Sequence, residues 1–182
     1  MAEPDDQLLL QQFSIPEKRQ EAFRQIMIKY QQRIYFHVRR MVIHHADADD
    51  VTQNTFIKVY QALPHFRGEA TLFTWIYRIA TNEALLFLKA RQRRNHLSLE
   101  DHEFTLPGHA DADPLLSGEK MHRKLLQAID SLPDRQKMVF QMKYFDNMKY
   151  EEIASILGLS VGALKASFFH AVNKIEKYLS DD

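Results

Sequence analysis

The sequence predicts an all-α fold, with two small helical domains joined by a flexible acidic linker and the second domain a helix-turn-helix. Three observations predict it. Apolar residues recur at steps of three and four along most of the 182 residues, glycine is scarce, and the periodicity lapses over one long internal stretch. Only five glycines are present, and Gly68 is the only one before Gly108, too few turn positions for a β protein. The lapse divides the chain into domains 1–94 and 119–182, with a linker at 95–118.

The first long helix is marked by Phe23, Ile26, Met27, Tyr30, Ile34, Val38 and Met41, which share one face. Asp47-Ala48-Asp49-Asp50 then offers N-cap chemistry, with acids suited to the positive end of a helix dipole. The helix it opens carries Val51, Phe56, Val59, Tyr60 and Leu63 and stops before Pro64. His65 to Thr71 reads as a loop pivoting on Gly68. A third helix runs from Leu72 through Trp75, Ile76, Ile79, Ala80 and Leu86 to a basic end at Lys89, Arg91, Arg93 and Arg94. From Asn95 to Ser117, His, Asp, Pro and Gly dominate, which is linker composition. Helical pattern resumes near Glu119 with Leu125, Leu126, Ile129 and Leu132. Pro133-Asp134 starts another helix, and Asp146-Asn147 turns the chain. Tyr150 to Leu157, a turn at Gly158, and the helix after Ser160 then form the helix-turn-helix, whose second helix suits the DNA major groove.

The formal charge is zero, but it is unevenly spread. Residues 23–94 carry twelve bases against five acids, while residues 95–120 carry six acids and one base. Residues 1–22 hold five acids and two bases, and 121–182 nine bases and eight acids. A basic body beside an acidic connector points to a polyanion surface next to a segment that avoids it. No apolar run approaches the ~18 residues of a membrane span, so no membrane insertion is expected. The acidic N-terminus lacks an export pattern and cysteine is absent, so a cytoplasmic location is expected. His44-His45-x-Asp47 lacks the spacing or cysteine that would complete a metal site. No phosphate loop, nucleophile elbow or acid pair stands out, so no metal, no cofactor and no catalytic residue is expected.

Four blocks in order carry a family resemblance: DADDVTQNTFIKVYQAL, FRGEATLFTWIYRIATNEALLFLKARQRR, LLQAIDSLPDRQKMVFQMKYFDNMKYEEIASILGLS and VGALKASFFHAVNKIEKYL. The chain resembles the extracytoplasmic-function sigma factors, a group of the sigma-70 family. The resemblance implies a transcription initiation factor, not an enzyme. Its implied partners are core RNA polymerase (β′ clamp helices and β flap), promoter DNA and an anti-sigma factor. It implies −10 contacts from Phe66, Arg67, Gly68 and Thr71 in the loop and from Trp75, Arg78, Asn82, Lys89, Arg91, Arg93 and Arg94 on the helix. The Asn82 amide can both donate to and accept from an unpaired base, and the cationic side chains suit phosphates. Trp75 fits equally well as a core residue.

The resemblance also assigns core-polymerase contacts to Asp47, Asp50, Val51, Gln53, Asn54, Phe56 and Tyr60. Gln53 and Asn54 lie off the apolar stripe, making a polar rim around aromatics expected to be exposed, such as Phe56. The −35 contacts fall on Ser160, Val161, Gly162, Lys165, Ser167, His170 and Lys174. Ala163, Ala166, Ser167 and His170 stand where the family more usually has Thr, Ser and arginines. Readout by backbone and shape is therefore expected to outweigh base-edge contacts. The alternative reading is a stand-alone helix-turn-helix regulator whose N-terminal domain senses a ligand or dimerises. An enzyme built on the His/Asp cluster near His44 is a further rival.

Overall fold

The computed structural model describes residues 5–42, 44–97 and 117–180. Regular structure among them is helical: α1 (Asp6–Phe13), α2 (Arg19–Val42), α3 (His45–Ala62), α4 (Leu72–Leu97), α5 (Ser117–Asp130), α6 (Asp134–Tyr144), α7 (Tyr150–Leu157) and α8 (Val161–Ser180). The chain falls into two compact units, Met1–Arg91 with Ala154–Gly158, and Gln92–Ile153 with Leu159–Asp182.

In the first unit α2 is the spine. Ala22, Ile26, Tyr30, Ile34, Val38 and Val42 recur every fourth residue and are buried, each large apolar side chain stabilising by roughly 1.5–3 kcal/mol over an exposed one. Phe23, Met27 and Met41, expected on this stripe, lie half-buried at its margin. Helix α1 was not foreseen. It is capped by Asp5, whose carboxylate accepts from the Gln7 amide at 3.3 Å, and it buries Leu9 and Phe13. Asp6 ties it to α2 by accepting from Lys29 Nζ at 2.8 Å and from the Tyr30 hydroxyl at 2.6 Å.

The start of α3 corrects the sequence reading. The helix begins at His45 with His44 as a cap that makes no side-chain bond, so Asp47 lies inside the first turn rather than capping it. The carboxylate still meets the positive end of the dipole. After Ala62 the chain tightens into a 3-10 turn, Leu63–His65, where Pro64 has no amide to extend the helix. Gly68 then takes φ 71, a left-handed value with no Cβ to clash. Thr71 caps α4, its hydroxyl accepting from the Thr74 amide at 3.1 Å. Leu72, Ile76, Tyr77, Ala80 and Ala84 form the buried face of α4. Leu86, expected on the apolar side, is instead 56% exposed. The helix reaches Leu97 and α5 starts at Ser117, so residues 95–97 and 117–118 of the expected linker are helical. Its remainder lies outside the described residues.

In the second unit α5, α6 and α8 enclose Ala128, Ile129, Leu132, Phe140, Ala171 and Ile175. The turn from α6 to α7 is made by Asn147 at φ 50, with the Met148 amide donating to the Met142 carbonyl at 3.1 Å. Lys149 cannot cap α7 with its own side chain. Glu152 compensates: its carboxylate reaches back to accept from the Lys149 amide at 2.8 Å, half of a capping box. Gly158, at φ 66, closes the helix, and α8 departs at 103° to α7, within the helix-turn-helix range. Among the described residues no single helix is long and apolar enough to cross a membrane.

Candidate nucleic-acid interface

Opposite its buried face, α4 presents Arg78, Asn82, Leu86, Lys89 and Arg93, all exposed and spaced three or four apart. These positions form one stripe along more than four turns. Leu86 joins it unforeseen, because an apolar residue at that spacing reads as core. Trp75, one turn before Arg78, is half-buried and packs on Phe66, ring centroids 5.1 Å apart and tilted 55°. The pair hinges the loop to the helix. Arg67 and Glu69 project from the loop as an exposed pair at 3.9 Å, too solvated to stabilise it much. The Thr71 hydroxyl is engaged in capping, so its evident work is to fix where α4 begins. The Arg94 side chain lies outside the described residues.

Arg91 departs from the stripe. Its Nη1 donates to Asp47 Oδ2 at 3.1 Å, and both side chains are about one-third exposed. Two residues expected to serve different partners thus hold one another. A second bridge, Lys58 to Glu83 at 2.5 Å, also joins α3 to α4 beside Asn82. The structure corrects the expectation for α3 as well. Phe56 is only 4% exposed, and Val51 is likewise buried. Asp50, Gln53, Asn54 and Tyr60 do face outward. Tyr60 stays in place by edge contacts with Phe13 at 5.6 Å and Phe23 at 5.0 Å. The apolar groups that are exposed were missed: Ile57 on α3, with Ile28 and Phe36 on α2. They border an open groove of ≈ 860 Å³ between these helices, lined also by Phe56 and Gln53.

Behind the α4 stripe lies a buried polar group that periodicity cannot show. His37 sits in the α2 core with Nε2 2.9 Å from Thr81 Oγ1 and Nδ1 2.6 Å from the Tyr77 hydroxyl. The Thr81 hydroxyl donates to the Tyr77 carbonyl at 2.9 Å. Its single hydrogen is thereby used, so it accepts from His37 Nε2–H, and Nδ1 accepts from Tyr77 O–H. Burial, then the nearby Arg40 charge, lowers the His37 pKa from 6.5 to about 3 and keeps the ring neutral.

On α8, Ser160 caps the helix, its Oγ accepting from the Ala163 amide at 3.2 Å. That amide is not free for a phosphate; those of Val161 and Gly162 remain at the N-terminus. Leu164, Ala171 and Ile175 face the core. Gly162, Ala166, Phe169 and Asn173 are exposed and share the opposite face, with His170 beside them. Lys165 and Lys174 are exposed too, nine residues apart and so about 180° around the helix, one on each flank. Ser167, assigned a −35 contact by the resemblance, turns half-buried toward the core side. Phe169, 61% exposed at the centre of the face, was not foreseen as a site residue, because a Phe on an amphipathic helix reads as core.

Residues 26–94 match the family described as sigma-70 region 2, and residues 122–175 match sigma-70, region 4. The RNA polymerase sigma-H factor of Pseudomonas aeruginosa is 33% identical over 98% of this chain and 96% of its own length. The ECF RNA polymerase sigma-E factor of Escherichia coli K12 is 33% identical over 94% of this chain and 92% of its own. Two solved structures share the fold. CnrH in complex with the cytosolic domain of CnrY gives a TM-score of 0.70 at 23% identity, covering 97% of this chain and 98% of that one. The sigma factor RpoE of Bartonella quintana, in complex with the anti-sigma factor NepR, gives 0.68 at 20% identity, covering 88% and 98%. A stand-alone regulator would account for the second match but not the first. The chain belongs to the sigma-70 family of RNA polymerase sigma factors, in its extracytoplasmic-function group, and serves promoter recognition.

Proposed function

We propose that the outward stripe of α4 captures one strand of the −10 element, with Asn82 reading an extruded base and Arg78, Lys89 and Arg93 holding phosphates. One observation carries this reading: the stripe is continuous, basic and polar but for Leu86, and it stands on a helix whose other face is fully packed. A rigid support lets binding energy go into unstacking a base, which costs a few kcal/mol. The α8 face would enter the −35 major groove, with Lys165 and Lys174 on the phosphates of the two strands and Phe169 facing base edges. The α2–α3 groove, with Asp50, Gln53, Asn54 and Tyr60 at its border, would take core polymerase.

The working domains are residues 1–94 and 119–182, and 95–118 is a linker whose acids keep it off DNA. The solved relatives named above are bound to CnrY and NepR. By extension an anti-sigma factor would hold this protein too, competing for the same apolar groove. The protein lends specificity to the polymerase's chemistry, carries none of its own, and acts in the cytoplasm with the chromosome.

Run-off transcription on genomic templates, with core polymerase alone and with this protein added, tests the assignment. Asn82→Ala is expected to cut promoter opening roughly tenfold or more, the scale of a lost bidentate base contact, while core affinity is retained. Loss of core binding with this variant would show the stripe to be part of the polymerase interface instead.

A further inference from the structure

We infer that His37 is a positioning residue for promoter capture: through Tyr77 and Thr81 it fixes the rotational setting of α4, and with it the aim of Arg78 and Asn82. The inference rests on the reading of α4 given above. Its ground is a coincidence of register. His37 engages the buried pair Tyr77 and Thr81, and each immediately precedes an exposed stripe residue, Arg78 and Asn82 respectively. Successive residues differ by about 100° around a helix. Clamping 77 and 81 from one side therefore dictates where 78 and 82 point.

Apolar packing alone would not do this. Ile76, Ala80 and Ala84 are buried, but contacts between aliphatic groups tolerate small rotations. The hydrogen bonds do not, because each has one direction. Nε2–H is given to Thr81, Nδ1 takes the Tyr77 hydrogen, and the His37 and Tyr77 rings lie 3.9 Å apart at 30°. A turn of α4 by a fraction of a residue would break two bonds at once among groups with no access to water. The neutral ring matters as well, since a protonated Nδ1 could not accept from Tyr77.

The test measures capture of single-stranded DNA by assembled holoenzyme. The probe is a labelled oligonucleotide carrying the −10 element of a promoter that the wild-type holoenzyme transcribes. His37→Leu alone takes the Nδ1 acceptor from the buried Tyr77 hydroxyl and threatens folding. The informative protein is therefore His37→Leu/Tyr77→Phe, which removes acceptor and donor together, while Thr81 keeps its bond to the Tyr77 carbonyl. It is expected to melt near the wild type and bind core polymerase normally, yet capture the oligonucleotide roughly tenfold more weakly. Added to Arg78→Ala/Asn82→Ala it should cause no further loss, because a residue acting through Arg78 and Asn82 is non-additive with them. Wild-type capture by His37→Leu/Tyr77→Phe would overturn the inference, and so would losses that multiply with those of Arg78→Ala/Asn82→Ala. If Asn82→Ala alone captured normally, the reading of α4 would fall and the inference with it, a result distinct from failure at His37.

Discussion

A histidine with both ring nitrogens engaged in a core cannot accept a proton without surrendering a bond. His37 therefore gives the fold a pH signature. Its pKa is about 3 in the folded protein and near 6.5 when unfolded, so the unfolded chain binds more protons between those values. Stability is fully present above about pH 6.5 and falls as acid is added through the interval toward pH 3. Carboxylates contribute little above about pH 5, so the range from about pH 7 to about pH 5 reports on histidines, and comparison with a His37 variant singles out this one. In that range the melting temperature of the wild type is expected to fall on acidification. His37→Leu/Tyr77→Phe should be flatter; equal slopes would mean that His37 is more accessible to protons than its burial implies. Glu21 shows why exposure matters. Its hydrogen bonds to Arg24 and Gln25 lower its pKa to about 2, but the group is exposed and solvent screens it, so it adds little to the acid dependence.

Helices with a strict four-residue repeat were legible from the sequence. Ile26, Tyr30, Ile34 and Val38 announce α2 because nothing but an amphipathic helix buries that spacing. Where the repeat carries a choice between neighbours, the reading slipped. Phe56 is buried and Ile57 exposed, one residue and about 100° apart, and only packing against α2 decides which ring goes inside. Leu86 was misplaced and Phe169 passed over for a similar reason, since an exposed apolar side chain looks like core until the helix is docked. His37 was invisible because its partners are 40 and 44 residues away. The turns were readable through their chemistry, and they can be tested in pairs. Gly158 and Gly162 both face open space, but only Gly158 has a left-handed backbone. Gly158→Ala is expected to destabilise by about 1–2 kcal/mol through backbone strain alone. Gly162→Ala, inside α8, should instead stabilise by roughly 0.5–1 kcal/mol. Melting of the two full-length variants in opposite directions would check both assignments.

Over the whole molecule the charge asymmetry divides the labour. Residues 23–94 hold a surplus of seven bases, twelve against five, whereas residues 121–182 have nine bases against eight acids. Affinity from phosphate contact should therefore come mainly from the first unit, and α8, with two flanking lysines and an apolar centre, should contribute a shorter electrostatic reach. Salt dependence separates the contributions. Each phosphate contact removed lowers the slope of log affinity against log salt by about 0.9 on duplex DNA and by about 0.7 on a single strand. Lys165→Ala/Lys174→Ala should thus flatten the slope for holoenzyme on promoter DNA by about 2, with similar loss on any −35 sequence. Lys89→Ala/Arg93→Ala should flatten it by roughly 1.4–1.8 and also weaken capture of single-stranded −10 DNA, which the α8 pair should leave unchanged. Asn82→Ala should leave the slope unchanged, because a neutral amide releases no counterion, but weaken capture of the −10 strand and lower selectivity among −10 sequences. Filter-binding titrations across salt concentrations, on duplex and on single-stranded probes, distinguish the three variants. An unchanged slope for the Lys165 and Lys174 pair would remove those residues from the phosphates and leave the −35 element to be read from the exposed centre of α8 alone.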